Sequence, residues 1–264
     1  MIDLKDRIGF DAGDNNLEKM INWGSKNNFK FIDFNADYGE NSFDLWNSDR
    51  ITNLRKLCDL KGATIGLHTL SGVNIAEISP VLSEAVDEYL EINLSLANKL
   101  GCKWMIVHGG YHFNAIQNIR IENSIRRIKK IVSKAKTLNI EILFENLNPE
   151  PQKSEFSYFG DTVDNLNFFM SEITDSNFKW AFTINHANLF QNNITDFWDA
   201  FGVDRIGEIR LADNNGDEEI HMNLGEGNID FHTIISDIEQ KGYQGHYSLA
   251  VENKVSGKDY ILNS

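Results

Sequence analysis

Short apolar runs alternate along this chain with longer segments whose apolar positions recur at helical spacing. Eight of the runs predict strands: Ile8–Phe10, Phe29–Phe34, Thr64–His68, Lys103–His108, Ile140–Glu145, Lys179–Ile184, Glu208–Ala212 and His246–Glu252. The clearest helix spans Pro80 to Leu100. Ser79 offers a cap, Pro80 suits the first turn and Gly101 provides a stop. Its apolar stripe is Leu82, Val86, Tyr89, Leu96 and Leu100. Another helix begins at Asp161-Thr162 and packs through Leu166 and Phe169. Strand and helix alternating to the end predict an α/β protein with a parallel sheet. With only three prolines and no Gly/Ser/Pro-rich linker, residues 1–264 read as one domain. A single (β/α)8 TIM barrel takes about 250 residues, which a chain of 264 supplies.

The ends of the runs carry a recurring kind of residue. His68, His108 and Glu145 each close a run, His186 follows one, and His221 follows the polar loop after another. In a parallel β/α barrel the C-terminal strand ends build the active site. One histidine there is ordinarily a hydrogen-bonded rim residue, but a set of them on successive strands points to a shared site. His112, His232 and His246 lack that context and read as surface or rim residues. Trp46, Trp104 and Phe113 read as packed aromatics in preference to a sugar-binding face.

Composition narrows the field. Hydrophobic residues make up 41% of the chain, enough for a substantial core, and the formal net charge is −14. That charge makes nucleic acid an unlikely partner, since no Lys/Arg cluster interleaved with aromatics offsets it. The densest basic stretch, Arg126 to Lys136, reads as a solvated helix face. Cys58 and Cys102 sit in apolar contexts and read as core residues, not a disulfide. The charged N-terminus lacks the apolar stretch of a signal peptide, and no run approaches a membrane span. A soluble, cytoplasmic protein is expected. Gly225-Glu226-Gly227 has no following Lys-Ser/Thr and reads as a turn rather than a phosphate loop.

Several segments, in their order and spacing, resemble the xylose isomerase-like barrels, which include sugar-phosphate isomerases/epimerases and the AP endonuclease family 2 enzymes such as endonuclease IV. They are Leu67-His68 through Ala76, Ala97 through Gly101, Val107 through Gly110, Glu145-Asn146, His186 through Leu189, Asp213 through Gly216, and His221 through Gly227. Ile229 through Phe231 and Gly242 through Gly245 follow. The resemblance covers nearly the whole chain. It implies a divalent-metal site, zinc or manganese, with one or two ions or none. His68, His108 and Glu145 resemble the ligands of one metal. His186, Glu219 and His221 resemble another set, with Glu219 where the phosphoesterase branch carries aspartate.

Three departures fall together. Thr183 stands where the family usually has aspartate, Arg210 where it has a metal-binding histidine, and Ala250 where it has glutamate. All belong to one metal position, the one that shares Glu145. Side chains alternate along a strand, so Arg210 is expected to point inward with Glu208. Glu252, two residues beyond Ala250 and about 6.6 Å nearer the mouth, either replaces the lost carboxylate or meets solvent. Arg210 is expected to fill the vacant position, pair with Glu145, and grip an anionic group of the substrate.

The leading expectation is a divergent, metal-dependent sugar or sugar-phosphate isomerase/epimerase. Glu145 would be ligand or base, His186 a substrate contact, Arg210 an anion clamp and Glu252 the second acid. The alternatives are an endonuclease IV-like phosphodiesterase and a barrel that binds a ligand without catalysis. The partner expected is a small molecule, a sugar or sugar phosphate; homo-oligomerisation stays open.

Overall fold

The computed structural model describes residues 4–113, 116–150, 154–190 and 194–251. In chain order the elements are β1 (Ile8–Asp11), α1 (Leu17–Lys26), β2 (Phe31–Phe34), α2 (Ser48–Lys61), β3 (Thr64–His68), α3 (Pro80–Leu100), β4 (Trp104–Val107), β5 (Tyr111–Phe113), α4 (Gln117–Thr137) and β6 (Glu141–Glu145). Then come β7 (Phe156–Tyr158), α5 (Val163–Glu172), β8 (Phe178–Thr183), α6 (Ile184–Asn188), α7 (Thr195–Phe201), β9 (Ile206–Leu211), α8 (Phe231–Gln240) and β10 (His246–Leu249). Eight strands close into a parallel barrel in the order β1-β10-β9-β8-β6-β4-β3-β2. The remaining two, β5 and β7, pair antiparallel as a separate small sheet. The fold is a (β/α)8 barrel. No helix among the described residues is long and apolar enough to cross a membrane.

The period-two alternation along each strand sorts side chains into two environments. Phe10, Ile32, Leu67, Met105, Phe144, Phe182 and Ile209 face outward and join the large core beneath the helices. Phe31, Trp104, Ile106, Leu143 and Ala181 form a separate small cluster inside the barrel. That cluster is the floor on which the polar residues of the upper barrel rest. Gly66 makes room for it, because a Cβ there would lie 2.0 Å from the Trp104 ring.

The predicted elements are present, with particular differences. Gly101 ends α3 in the left-handed conformation at φ 82°, and Thr162 caps α5 by accepting from Asn165 N. Ser79 makes no side-chain cap, and Leu82 is exposed; full burial on α3 begins at Leu90. A 21-residue helix is about 30 Å long and overhangs a strand of about 17 Å, so its first turns have no sheet to cover. Arg127, within the stretch read as solvated, is buried, with bonds to Asp87 and the carbonyls of Ile75 and Glu77. Both cysteines are buried and free.

Two of the three histidines expected at the surface or rim are inside. His246 is buried at the barrel floor between the rings of Phe31 and Trp104, 4.4 and 4.5 Å away, and Glu208 lies 3.1 Å from its Nε2. His112 packs on Phe159. His232 is exposed as expected. Trp46 and Trp104 are packed, but Phe113 is 48% exposed. The misplaced histidines share a cause: strand parity, not neighbouring motif, decides which face a side chain takes.

Candidate metal centre

The C-terminal strand ends open into a cavity of about 540 Å³. Its walls gather the residues singled out along the chain: His68, His108, Glu145, His186, Arg210, Glu219 and His221. Six of them form two triads whose ligand atoms converge. Glu252 lies outside the described residues.

In the first triad, His68 Nε2 and His108 Nε2 stand 3.0 and 2.9 Å from the same oxygen, Oε2 of Glu145, and 3.2 Å from each other. A tetrahedral zinc ion, bonded at about 2.0–2.1 Å, separates its ligand atoms by about 3.3 Å. In the second triad, Glu219 Oε1 lies 2.7 Å from His221 Nε2 and 3.4 Å from His186 Nε2. Both sets fit a divalent ion.

The outer contacts of the four imidazoles strengthen that fit. His186 Nδ1 donates to the Asn146 carbonyl at 2.8 Å, and His221 Nδ1 to the Ala250 carbonyl. His68 Nδ1 faces Asp11 at 3.6 Å, and His108 Nδ1 faces the Thr69 hydroxyl at 3.5 Å. Every ring thus has an oxygen behind Nδ1 and turns Nε2 to its carboxylate, the orientation metal-ligating histidines take. Ala250, read from sequence as a lost ligand, contributes through its backbone.

Arg210 points inward from β9, as strand parity predicts, and is 2% exposed. Four carboxylates surround it: Glu208 at 2.8 Å and Asp33 at 3.2 Å from Nη1, Asp11 at 2.5 Å from Nη2, and Glu145 at 3.4 Å from Nε. Thr183 donates its hydroxyl to Glu145 Oε1. One oxygen of Glu145 therefore serves Thr183 and Arg210, and the other faces the histidines. Asp33 also accepts from Trp104 Nε1 at 2.7 Å and Ser248 Oγ at 2.8 Å, which ties the ionic layer to the floor.

The protonation balance follows from burial and these partners. Burial works to raise Glu145, but His68 and Arg210 outweigh it and hold the carboxyl well below its usual range. Burial and the charge of Glu208 push Asp33 up to about 8, and burial raises Glu208 itself. Two carboxyls that close cannot both ionise freely, so the pair retains a proton. Burial and Arg210 press His68 down, yet Glu145 and Asp11 lift it to about 9. His108 is lowered by burial, and Glu219 is lowered by its bonds to His186 and His221.

Asp11, Asp33 and Asn146 were not singled out from sequence. The signal was present for the first two, since a carboxylate at an inward strand position is costly without a partner. Asn146 acts partly through its backbone carbonyl, which side-chain chemistry does not announce.

With the barrel and its polar mouth described, the class is clear: the chain belongs to the xylose isomerase-like TIM barrel family, which matches residues 21–262. Among curated relatives it is similar to the uncharacterized protein MJ1311 of Methanocaldococcus jannaschii, 27% identical over 246 residues, covering 84% of this chain and 82% of that one. It is also similar to a probable endonuclease 4 of Thermoplasma volcanium, 24% identical over 227 residues, covering 83% of this chain and 76% of that one. Among solved structures, a D-tagatose 3-epimerase-like protein superposes with a TM-score of 0.82 at 24% identity, covering 97% of this chain and 93% of that one.

Proposed function

We propose that this protein is a metal-dependent enzyme that hydrolyses a small phosphate ester of a sugar. His68, His108 and Glu145 would hold one ion and His186, Glu219 and His221 a second, with Arg210 as a fixed cation where a third would otherwise sit. The observation that carries this reading is the orientation of the four imidazoles, each backed at Nδ1 and turned through Nε2 to a carboxylate. A divalent ion so bound supplies Lewis acidity toward a phosphoryl oxygen and lowers the pKa of water.

The chain's own residues do the rest. Arg210, charged at any working pH, balances the carboxylates below the cavity and keeps Glu145 ionised. The Thr183 hydroxyl fixes one oxygen of Glu145, beside the Arg210 charge, so only the other turns to the histidines. The amides of Asn15 and Asn148 on the cavity wall suit the hydroxyls of a sugar. A net charge of −14 favours a small ester over a nucleic-acid duplex, whose binding draws on many cationic contacts.

Those amides also support a second reading, a sugar or sugar-phosphate isomerase or epimerase. It needs two carboxylates free to exchange protons beside the substrate. Glu145, Asp11 and Glu219 are each already bound to imidazole or guanidinium, so the role would fall to Glu252.

The discriminating experiment is an assay of protein loaded with zinc or manganese. Hydrolysis of a sugar phosphate or bis(p-nitrophenyl) phosphate, lost in His68→Ala and in His221→Ala, is the result expected. Solvent deuterium entering a ketose without hydrolysis would favour the isomerase. Neither activity, with no metal retained, would favour a ligand-binding barrel.

A further inference from the structure

The small sheet of β5 and β7 is not needed to close the barrel. Its register pairs Tyr111 with Tyr158, His112 with Ser157, and Phe113 with Phe156. Alternation then puts Tyr111, Phe113, Phe156 and Tyr158 on one face and sends His112 to the other, where it is buried. The four rings touch one another edge to face. Tyr111 lies 5.6 Å from Phe156, 6.2 Å from Tyr158 and 6.3 Å from Phe113, and Phe156 lies 5.5 Å from Tyr158.

This face is not isolated from the metal centre. Tyr158 lines the same cavity as both triads. From there the aromatic surface runs outward to Phe113, half exposed. Neither tyrosine hydroxyl has a hydrogen-bond partner among the described residues.

We propose that this aromatic sheet is a second subsite, holding a planar heteroaromatic ring carried by the substrate's alcohol part. The substrate class is then a nucleotide-sized phosphoester: phosphate at the triads, sugar along the amide-lined wall, ring on the aromatics. Aromatic faces and edges bind planar rings without regard to sequence, and the two open hydroxyls can meet the ring's polar edge. The phosphate end rests on the function proposed above; the aromatic end does not.

The test measures binding of adenosine 5′-monophosphate, ribose 5-phosphate and adenosine to the zinc-loaded protein by calorimetry. Adenosine 5′-monophosphate should bind at least about tenfold tighter than ribose 5-phosphate. Phe113→Ala should abolish that advantage while ribose 5-phosphate affinity and zinc content stay unchanged. Adenosine binding that Phe113→Ala removes would uphold the subsite even if no phosphate effect is seen. Equal affinity for the two phosphates, an unchanged Phe113→Ala profile, or binding of none of the three would overturn it. So would light scattering showing that Phe113→Ala splits a dimer without altering nucleotide affinity, since the face would then belong to a second copy.

Discussion

Arg210 decides how much of the site is electrostatically tolerable. Removing one partner from a buried ionic cluster leaves uncompensated charge, at a cost of about 3–5 kcal/mol. Arg210→Ala should lose stability on that scale in urea denaturation, whereas Arg210→Lys keeps the charge but not the fork that reaches Asp11, Asp33, Glu145 and Glu208 together. An Arg210→Ala protein as stable as the parent would contradict this account of the layer. The same cluster sets a pH dependence. In metal-free protein His68 is lifted to about 9 and Asp33 to about 8, so the folded state keeps protons that the unfolded chain has released. Stability should therefore fall as pH rises from about 6.5 to about 9, with the raised His68 fully contributing only below its ordinary value. His246, pushed down to about 4 chiefly by burial, acts in the opposite sense but only below about 6.5, outside that window. Urea midpoints measured across the range would show it; a flat or rising profile would not fit.

At the scale of elements, strand parity carries most of the argument. The eight barrel strands were legible because each is a short apolar run bounded by polar loops, and inward placement of Arg210 followed from counting residues along β9. What escaped notice escaped for physical reasons. Asp11 and Asp33 occupy inward strand positions, but the partner that makes them tolerable, Arg210, meets them only when the barrel closes through the β1–β10 pairing. β5 and β7 are three residues each, too short for periodicity to register. The packing of the floor makes a sharp prediction here. Gly66→Ala would drive a methyl into the Trp104 ring, whose indole nitrogen holds Asp33. Overpacking of this kind costs about 1–3 kcal/mol. The thermal midpoint should drop, with weakened zinc affinity following from the loosened Asp33–Arg210 contact; an unchanged midpoint would show that the floor is softer than its geometry implies.

For the whole molecule, the barrel gathers side chains from most of its strands so that one mouth holds two candidate ligand triads, the first resting through Glu145 on the Arg210 guanidinium. Asp11→Asn should weaken zinc at the first triad by roughly 10–100-fold, the usual effect of losing the partner behind a ligating histidine, and leave the second triad intact. A chelator-competition titration resolves the two. Long DNA duplexes should show no retention at low salt, given the net charge of −14. Anomalous diffraction at the zinc edge, from crystals grown with zinc, shows whether the two triads hold ions. Two peaks are predicted, one within reach of His68, His108 and Glu145 and one within reach of His186, Glu219 and His221, with Arg210 still bound to its carboxylates. A peak at the Arg210 position, or that side chain swung out into solvent, would contradict that arrangement.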